Sequence, residues 1–147
     1  QEQLAWLETT LCESEADLHI LVSGIQIISE EHRWEKWADY PKTRACLLRE
    51  IAESQTPTIL LSGDRHIHEI SVLQDWAGKF PLPDITSSGL THSWDGFPGE
   101  TNRHRVGEVF TGLGYGMINI DWSGPKPQIK LAIKDRNGNA QISHQIE

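Results

Sequence analysis

The stretch Thr58–Glu69, which reads TILLSGDRHIHE, joins a short apolar run to a dense group of charged and imidazole side chains. A continuous apolar run of this length is typical of a buried strand, and we predict one over Thr58–Ser62. Gly63 lets the backbone turn sharply where that strand ends, so Asp64 and His66 can reach one point in space. A carboxylate oxygen with an imidazole nitrogen suits zinc, manganese, iron or calcium. On spacing alone, a metal site and a solvated turn are both open.

Length and charge limit the classes of protein to consider. The 147 residues correspond to a single domain or part of one, and their 21 acidic and 13 basic residues give a net charge of −8. This charge argues against a nucleic-acid backbone or an anionic membrane as the main partner. No signal-peptide pattern or apolar run of membrane-spanning length occurs. Because the chain starts at Gln1 without Met, we expect its start to reflect processing or truncation, and localisation cannot be read from it.

The first part of the chain alternates helical and strand patterns. We predict helices over Glu2–Glu13 and Lys42–Ser54, and a strand over Asp17–Gly24 that residues 25–28 can extend. Cys12 and Cys46 fall in the two helices, so we expect small buried hydrophobic residues and no disulfide framework. The order helix, strand, helix, strand favours parallel strands with helices on one face. Ligands of such sheets gather beyond the carboxyl ends of the strands, where residues 63–69 lie.

The rest of the chain has the short strands and turns of an antiparallel sheet. A polar loop is expected over Trp94–Arg105, and the turn sequence at Asp135–Asn139 predicts a hairpin. The predicted fold class is therefore α/β, with antiparallel β structure in the last third. The strands are predicted at Asp84–Ser88, Val106–Thr111, Met117–Trp122, Gln128–Lys134 and Gln141–Ile146.

Five segments, in this order, match the motifs of one known family. They are QLAWL at Gln3–Leu7, ILVSGIQ at Ile20–Gln26, WADYP at Trp37–Pro41, LSGDRH at Leu61–His66 and SSGLTH at Ser87–His92. Together they resemble the carboxyl-terminal portion of an alkaline phosphatase D-like (PhoD-like) metallophosphatase, in the calcineurin-like metallophosphoesterase superfamily. The resemblance covers nearly the whole chain, so residues 1–147 are interpreted as one partial domain of this type.

The resemblance implies a fold, an activity and a metal site. The fold would be the carboxyl-terminal part of a two-sheet αββα sandwich, with metals at strand ends between the sheets. The activity would be metal-dependent hydrolysis of a phosphate ester, by water activated at a binuclear site. Asp64 and His66 would be the final ligands of that site. Calcium, iron, manganese and zinc all remain open as the divalent or trivalent ions.

Three neighbouring residues are candidates for the chemistry. Arg65 would clamp a phosphate oxygen, or would pair with Glu69 or Asp64. If residues 65–69 are extended, His68 shares a face with His66 and is an outer ligand or proton donor; otherwise it is a surface histidine. His92 is either an acid for the leaving group, a substrate contact or an ordinary loop histidine.

Aromatic and basic residues near the predicted site have two interpretations each. Trp34, Trp37 and Trp94 would either wall a substrate pocket or pack in the interior. Arg103 and Arg105 would either line the cleft or anchor their loop.

The site is expected to be incomplete within this chain. Superfamily members carry upstream Asp-x-His, Gly-Asp and Gly-Asn motifs that the sequence lacks. Asp17-Leu18-His19 spells the first of these, but it precedes its strand and should face the wrong end of the sheet. The isolated chain is therefore expected to be inactive, and the alternative is a non-catalytic fragment or subunit that needs a partner. A third hypothesis is an unrelated β-rich protein that binds one metal through His66, His68 and Glu69.

A partial sandwich would leave sheet surface uncovered. Exposed strand edges and apolar faces promote association, so we expect the chain to self-associate.

Overall fold

The computed structural model describes residues 2–146. These residues form two α-helices and two β-sheets, through local sequence patterns and long-range strand pairing. Within this range no helix is both long and apolar enough to cross a bilayer. The elements are α1 (Glu2–Glu13), β1 (His19–Val22), a 3-10 turn (Trp37–Asp39), α2 (Pro41–Glu53), β2 (Thr58–Ser62), β3 (His68–Leu73), β4 (Leu82–Ser87), β5 (Arg105–Phe110), β6 (Gly114–Asp121), β7 (Gln128–Asp135) and β8 (Ala140–Ile146).

The first sheet has the strand order β1-β2-β4-β3-β5. Strands β1, β2 and β4 are parallel, as expected for the first two, and β3 and β5 run antiparallel to their neighbours. The expected extension of β1 through residues 25–28 is wrong. The amides of Ile27 and Ile28 instead donate to a carboxylate oxygen of Asp84, at 2.9 and 3.1 Å, which draws the chain away from the line of β1.

The second sheet is the antiparallel meander β6-β7-β8. It packs on the first sheet through an apolar cluster that includes Ile59, Ile85, Leu131 and Ile133. Alternate side chains of a strand point to opposite faces, so Leu60 lies on the other face of the first sheet, in a second cluster with residues of both helices. The described residues thus form a helix layer and two sheets, a mixed α/β arrangement.

The structure gives the positions of His19 and of the two cysteines. His19 is the first residue of β1 and pairs with Thr58, so it lies at the amino ends of the strands, as expected, and its Nε2 lies 2.9 Å from the hydroxyl of Ser14. The expected burial of the cysteines is wrong, because Cys12 is exposed and Cys46 half-buried. Cys12 follows the buried Leu11, and one helical step of about 100° turns its side chain towards solvent.

Candidate functional site

The loop between β2 and β3 carries the two expected metal ligands. Asp64 and His66 have φ angles of 66° and 53°, in the left-handed region that few residues other than glycine adopt. The segment from Arg65 to Glu69 is therefore not extended, since β3 begins only at His68. Because His66 lies outside the strand, His66 and His68 do not share one strand face.

Three backbone contacts hold this loop. The amide of Arg65 donates to the carbonyl of Gly63 (2.8 Å), and the amide of His66 donates to the hydroxyl of Ser88 (3.1 Å). The carbonyl of His66 accepts from the amide of Trp94 (2.8 Å). The side chains of Asp64 and His66 remain exposed. Backbone conformations this rare persist only where neighbouring structure holds them, and they concentrate at functional sites.

The structure brings His92 to His66. The two imidazole rings are perpendicular, with centroids 4.9 Å apart, and both residues are exposed. Across residues 2–146, however, no group of three or more His, Cys, Asp or Glu residues is arranged to hold a metal ion. The trio His66, His68 and Glu69 therefore does not form a metal site among these residues, and the assignment of Asp64 and His66 as metal ligands stays a prediction.

His68 is buried beneath Gly89 and is not the surface histidine considered above. Its ring stacks on Phe110 with centroids 5.7 Å apart, and within residues 2–146 neither ring nitrogen has a regular hydrogen-bond partner. A Cβ on Gly89 would clash with Nε2 of His68, so only glycine permits this close approach. Burial lowers the pKa of His68, and the backbone of Gly89 and Gly112 opposes that change. The ring is therefore favoured as the neutral form.

Arg65 is buried and its guanidinium is engaged. One nitrogen donates to the Gln26 side chain (2.9 Å), and the other pairs with Glu100 (2.5 Å). The alternative in which Arg65 pairs with Glu69 or Asp64 is wrong, because Glu100 of the Trp94–Arg105 loop provides the carboxylate. Arg65 nevertheless contributes to the wall of a pocket described below.

Glu69, by contrast, is the centre of a buried polar network. Its carboxylate accepts from Arg105 (2.7 Å), Gln26 (2.5 Å) and Asn102 (3.2 Å). Arg105 also donates to the carbonyl of Glu100, and Arg103 pairs with Glu30. The structure thus assigns both arginines to anchoring the polar loop, one of the two interpretations offered by the sequence.

Asp84 of β4 is a second buried carboxylate beneath the site. It accepts from the hydroxyl of Ser62 at 2.7 Å, in addition to the amides of Ile27 and Ile28. Burial raises the pKa of Asp84, while these three donors lower it and favour the charged form. The carboxylate therefore joins the end of β2 to the segment that follows β1.

A pocket of about 440 Å³ opens beside the loop between β2 and β3. Trp34 and Trp94 stand at 87° to each other, with ring centroids 5.7 Å apart. Trp37 is not part of this wall: it packs near α2, and its indole nitrogen donates to Ser23. The lining residues are Arg33, Trp34, Asp64, Arg65, His66 and Trp94.

Another pocket, of about 330 Å³, lies at the amino ends of the parallel strands. Its walls include Leu18, Ile59, Phe80 and Pro125, and the lining residues that lie within positions 2–146 include no histidine, cysteine or carboxylate. The pocket at the carboxyl ends is therefore the candidate functional site, since that is where ligands gather in such sheets.

The local sequence does not indicate that several polar residues of this region belong to the site. Gln26 lies in the possible extension of the first predicted strand, Asp84 in a predicted strand and Glu100 in a predicted loop, and their partners lie 22 or more positions away. Only the acidic Glu100, within the expected polar loop, could have been proposed as a partner for Arg65.

The fold of the described residues is similar to part of the fold of a protein of known structure. No model of a protein family and no curated protein matches the sequence. The structure of PhoD is similar, with a TM-score of 0.63 and 15% sequence identity, over 100% of this chain and 35% of the PhoD chain. The chain thus spans about a third of the length of that protein. At this identity the similarity concerns the fold, and residues 2–146 have the fold of part of PhoD.

Proposed function

We propose that this chain is the part of a metal-dependent phosphoric ester hydrolase, a phosphatase or phosphodiesterase, that contributes Asp64 and His66 as metal ligands. One observation carries the proposal. In a fold similar to part of PhoD, the loop at the carboxyl end of β2 holds both side chains exposed on a left-handed backbone.

The donor set agrees with this role. One carboxylate and one imidazole suit calcium, iron, manganese or zinc, and further ligands would come from residues outside this chain. A metal bound there would supply Lewis-acid activation of water and neutralise charge on the phosphoryl oxygens. Asp64 and His66 would hold and orient it, and the buried network around Glu69 and Asp84 would keep their loop in place.

The other candidates take roles that follow from their positions. His92, exposed beside His66, would donate a proton to the leaving-group oxygen. Arg65 would place positive charge in the pocket wall while Gln26 and Glu100 hold it. His68 has no exposed surface, so its part would be to support the loop from beneath.

The test is substitution of His66 in the full-length protein. Metal content and hydrolysis of p-nitrophenyl phosphate and bis-p-nitrophenyl phosphate are compared for wild type, His66→Ala and His144→Ala. His144 lies on β8 of the second sheet and serves as the matched control. We expect His66→Ala to lose metal and at least about 100-fold in turnover, while the control keeps both. Unchanged metal content and turnover in His66→Ala would refute the proposal.

A second candidate function is a non-catalytic subunit whose site a partner completes. It is favoured by the small number of metal-binding side chains that residues 2–146 bring together. The isolated chain, supplied with each metal in turn, would then leave both esters intact. Hydrolysis by that chain at an ordinary enzymatic rate would exclude this candidate.

A further inference from the structure

The pocket beside Asp64 and His66 has aromatic walls on two sides. Trp34 is 42% exposed despite its large apolar ring, and Trp94 meets it at a right angle. The guanidinium carbon of Arg33 lies 4.8 Å from the centroid of the Trp34 ring. Two perpendicular indoles with an adjacent cation form a surface suited to a flat, electron-rich ring.

These walls are fixed relative to the loop between β2 and β3. The indole nitrogen of Trp34 donates to one oxygen of Glu100 at 3.1 Å, and the other oxygen of that carboxylate pairs with Arg65. Trp94 donates its amide to the carbonyl of His66, and its ring is braced edge-on by Phe97 at 5.3 Å. The aromatic wall and the candidate metal ligands are thus positioned together.

Arg33 adds a charge that an anion can use. It is exposed, and among the described residues it makes no ion pair or hydrogen bond. Arg65, the other arginine of the pocket, is already paired with Glu100. A guanidinium recognises phosphoryl oxygens by paired hydrogen bonds, so Arg33 can attract the anionic end of a ligand whose ring meets the tryptophans.

We propose that this pocket binds the planar aromatic group of a phosphoric ester, with the phosphoryl group directed towards Asp64 and His66. This names the substrate class of the proposed hydrolase and rests on that function for the chemistry. The binding itself requires neither metal nor turnover. The flat group is an aryl ring or a nucleobase, both of which stack on indole.

The test compares phenylphosphonate with cyclohexylphosphonate, anions of similar size whose rings differ in planarity. Dissociation constants are measured by calorimetry on the wild-type chain, on Trp94→Ala and on Trp122→Ala, a control in which an exposed tryptophan elsewhere is removed. We expect phenylphosphonate to bind about tenfold more tightly than its saturated analogue, and this preference to vanish only in Trp94→Ala. Equal affinities, or a preference that survives in Trp94→Ala, would overturn the proposal.

A measurement on the unaltered chain guards against misfolding of the variant. With nitrogen-15 in the indoles, phenylphosphonate should shift the signals of Trp34 and Trp94 and leave those of Trp6 and Trp122 in place. Shifts confined to other tryptophans, or none, would contradict the pocket.

Adenosine monophosphate is the second ligand. If it binds more tightly than phenylphosphonate, the flat group is assigned to a nucleobase, and if it binds more weakly, to an aryl group. Because no step here depends on hydrolysis, a failure of this inference is distinct from a failure of the proposed function.

Discussion

At the scale of single residues, the loop after β2 places unusual demands on the backbone. Asp64 and His66 both have positive φ angles. Aspartate and histidine occur there more often than most residues other than glycine, whereas β-branched residues are strongly disfavoured. The side chains proposed as metal ligands thus also tolerate the backbone.

This tolerance predicts opposite outcomes for two substitutions of Asp64. Asp64→Asn should keep the free energy of unfolding within about 0.5 kcal/mol of wild type, because asparagine tolerates the same backbone region. Asp64→Val should lower it by about 1–3 kcal/mol through backbone strain. Urea denaturation of the metal-free chain measures both, and equal stabilities would show that the loop is not strained at this position.

His32 is a buried histidine near the site. Burial is the main cause that lowers the pKa of His32 to about 4, and the neighbouring Arg65 lowers it further, against a raising effect of Glu100. The folded state therefore binds fewer protons than the unfolded state between about pH 4 and 6.5. Stability supplied by neutral His32 should be complete above about pH 6.5 and decrease as the pH falls towards 4.

The measurement is urea denaturation at about pH 7 and about pH 5. Over this interval wild type should lose about 2 kcal/mol more stability than His32→Gln, in which the group that titrates is absent. Subtracting the stability loss of His32→Gln from that of wild type removes the contributions of other titrating groups, including Asp84 and His68. His144→Gln is the control and should behave as wild type. An identical pH dependence in wild type and His32→Gln would contradict the assigned shift.

Among the helices and strands, local sequence patterns predict the bounds of a single element better than they predict which elements lie next to each other in space. The bounds of α1 and β2 agree with prediction, since apolar periodicity is a local property. Strand β3 was not predicted as a unit, because His68, Glu69 and Ser71 are polar but fully buried. Polar residues usually indicate exposure, and the partners that satisfy Glu69 and Ser71 come from distant segments.

The strand order could not be predicted from local sequence patterns either, because it depends on contacts between distant segments. Strand β4 lies between β2 and β3, although it follows both in sequence. That placement depends on side chains from separate segments, such as the contact of Asp84 with Ser62. For the site, the sequence indicated the loop that carries Asp64 and His66. It did not indicate the carboxylate of Glu100 that fixes Arg65.

The Arg65–Glu100 pair joins the β2–β3 loop to the Trp94–Arg105 loop. Arg65→Met and Glu100→Leu should each destabilise the chain by about 3 kcal/mol, since each leaves a buried charge without its partner. The double variant should lose clearly less than the sum of the two. Urea denaturation completes the cycle, with Glu53→Gln in an exposed ion pair as a control expected to change stability by under about 1 kcal/mol. Additive losses would show that the loops are not coupled through this pair.

In the whole molecule, the part of the chain that the structure describes leaves the first strand of the first sheet uncovered. Strand β1 lies at the edge of its sheet, and its residues Ile20 and Val22 are 46% and 79% exposed. Residues two apart on a strand share a face, so an unpaired edge coincides with an apolar surface. Such edges favour pairing with another chain.

We therefore expect the 147-residue chain to self-associate through β1. Sedimentation velocity over a range of concentrations should show oligomers of wild type, and Val22→Lys should shift the population to monomer because an edge lysine opposes pairing. Leu90→Lys, which changes a 71% exposed loop residue, is the control and should associate as wild type. A monomeric wild type, or an equal effect of both lysines, would contradict association through this edge.

Metal binding by Asp64 and His66 is the claim on which the proposed function depends most, and paramagnetic broadening by Mn²⁺ tests it directly. Manganese is titrated into the nitrogen-15-labelled chain, and the loss of each amide signal is compared with a matched titration of Mg²⁺. We predict that residues 63–67 and His92 lose intensity first, and that Asp64→Asn abolishes this pattern. Broadening that begins elsewhere, or that persists unchanged in Asp64→Asn, would contradict the assignment of the metal ligands.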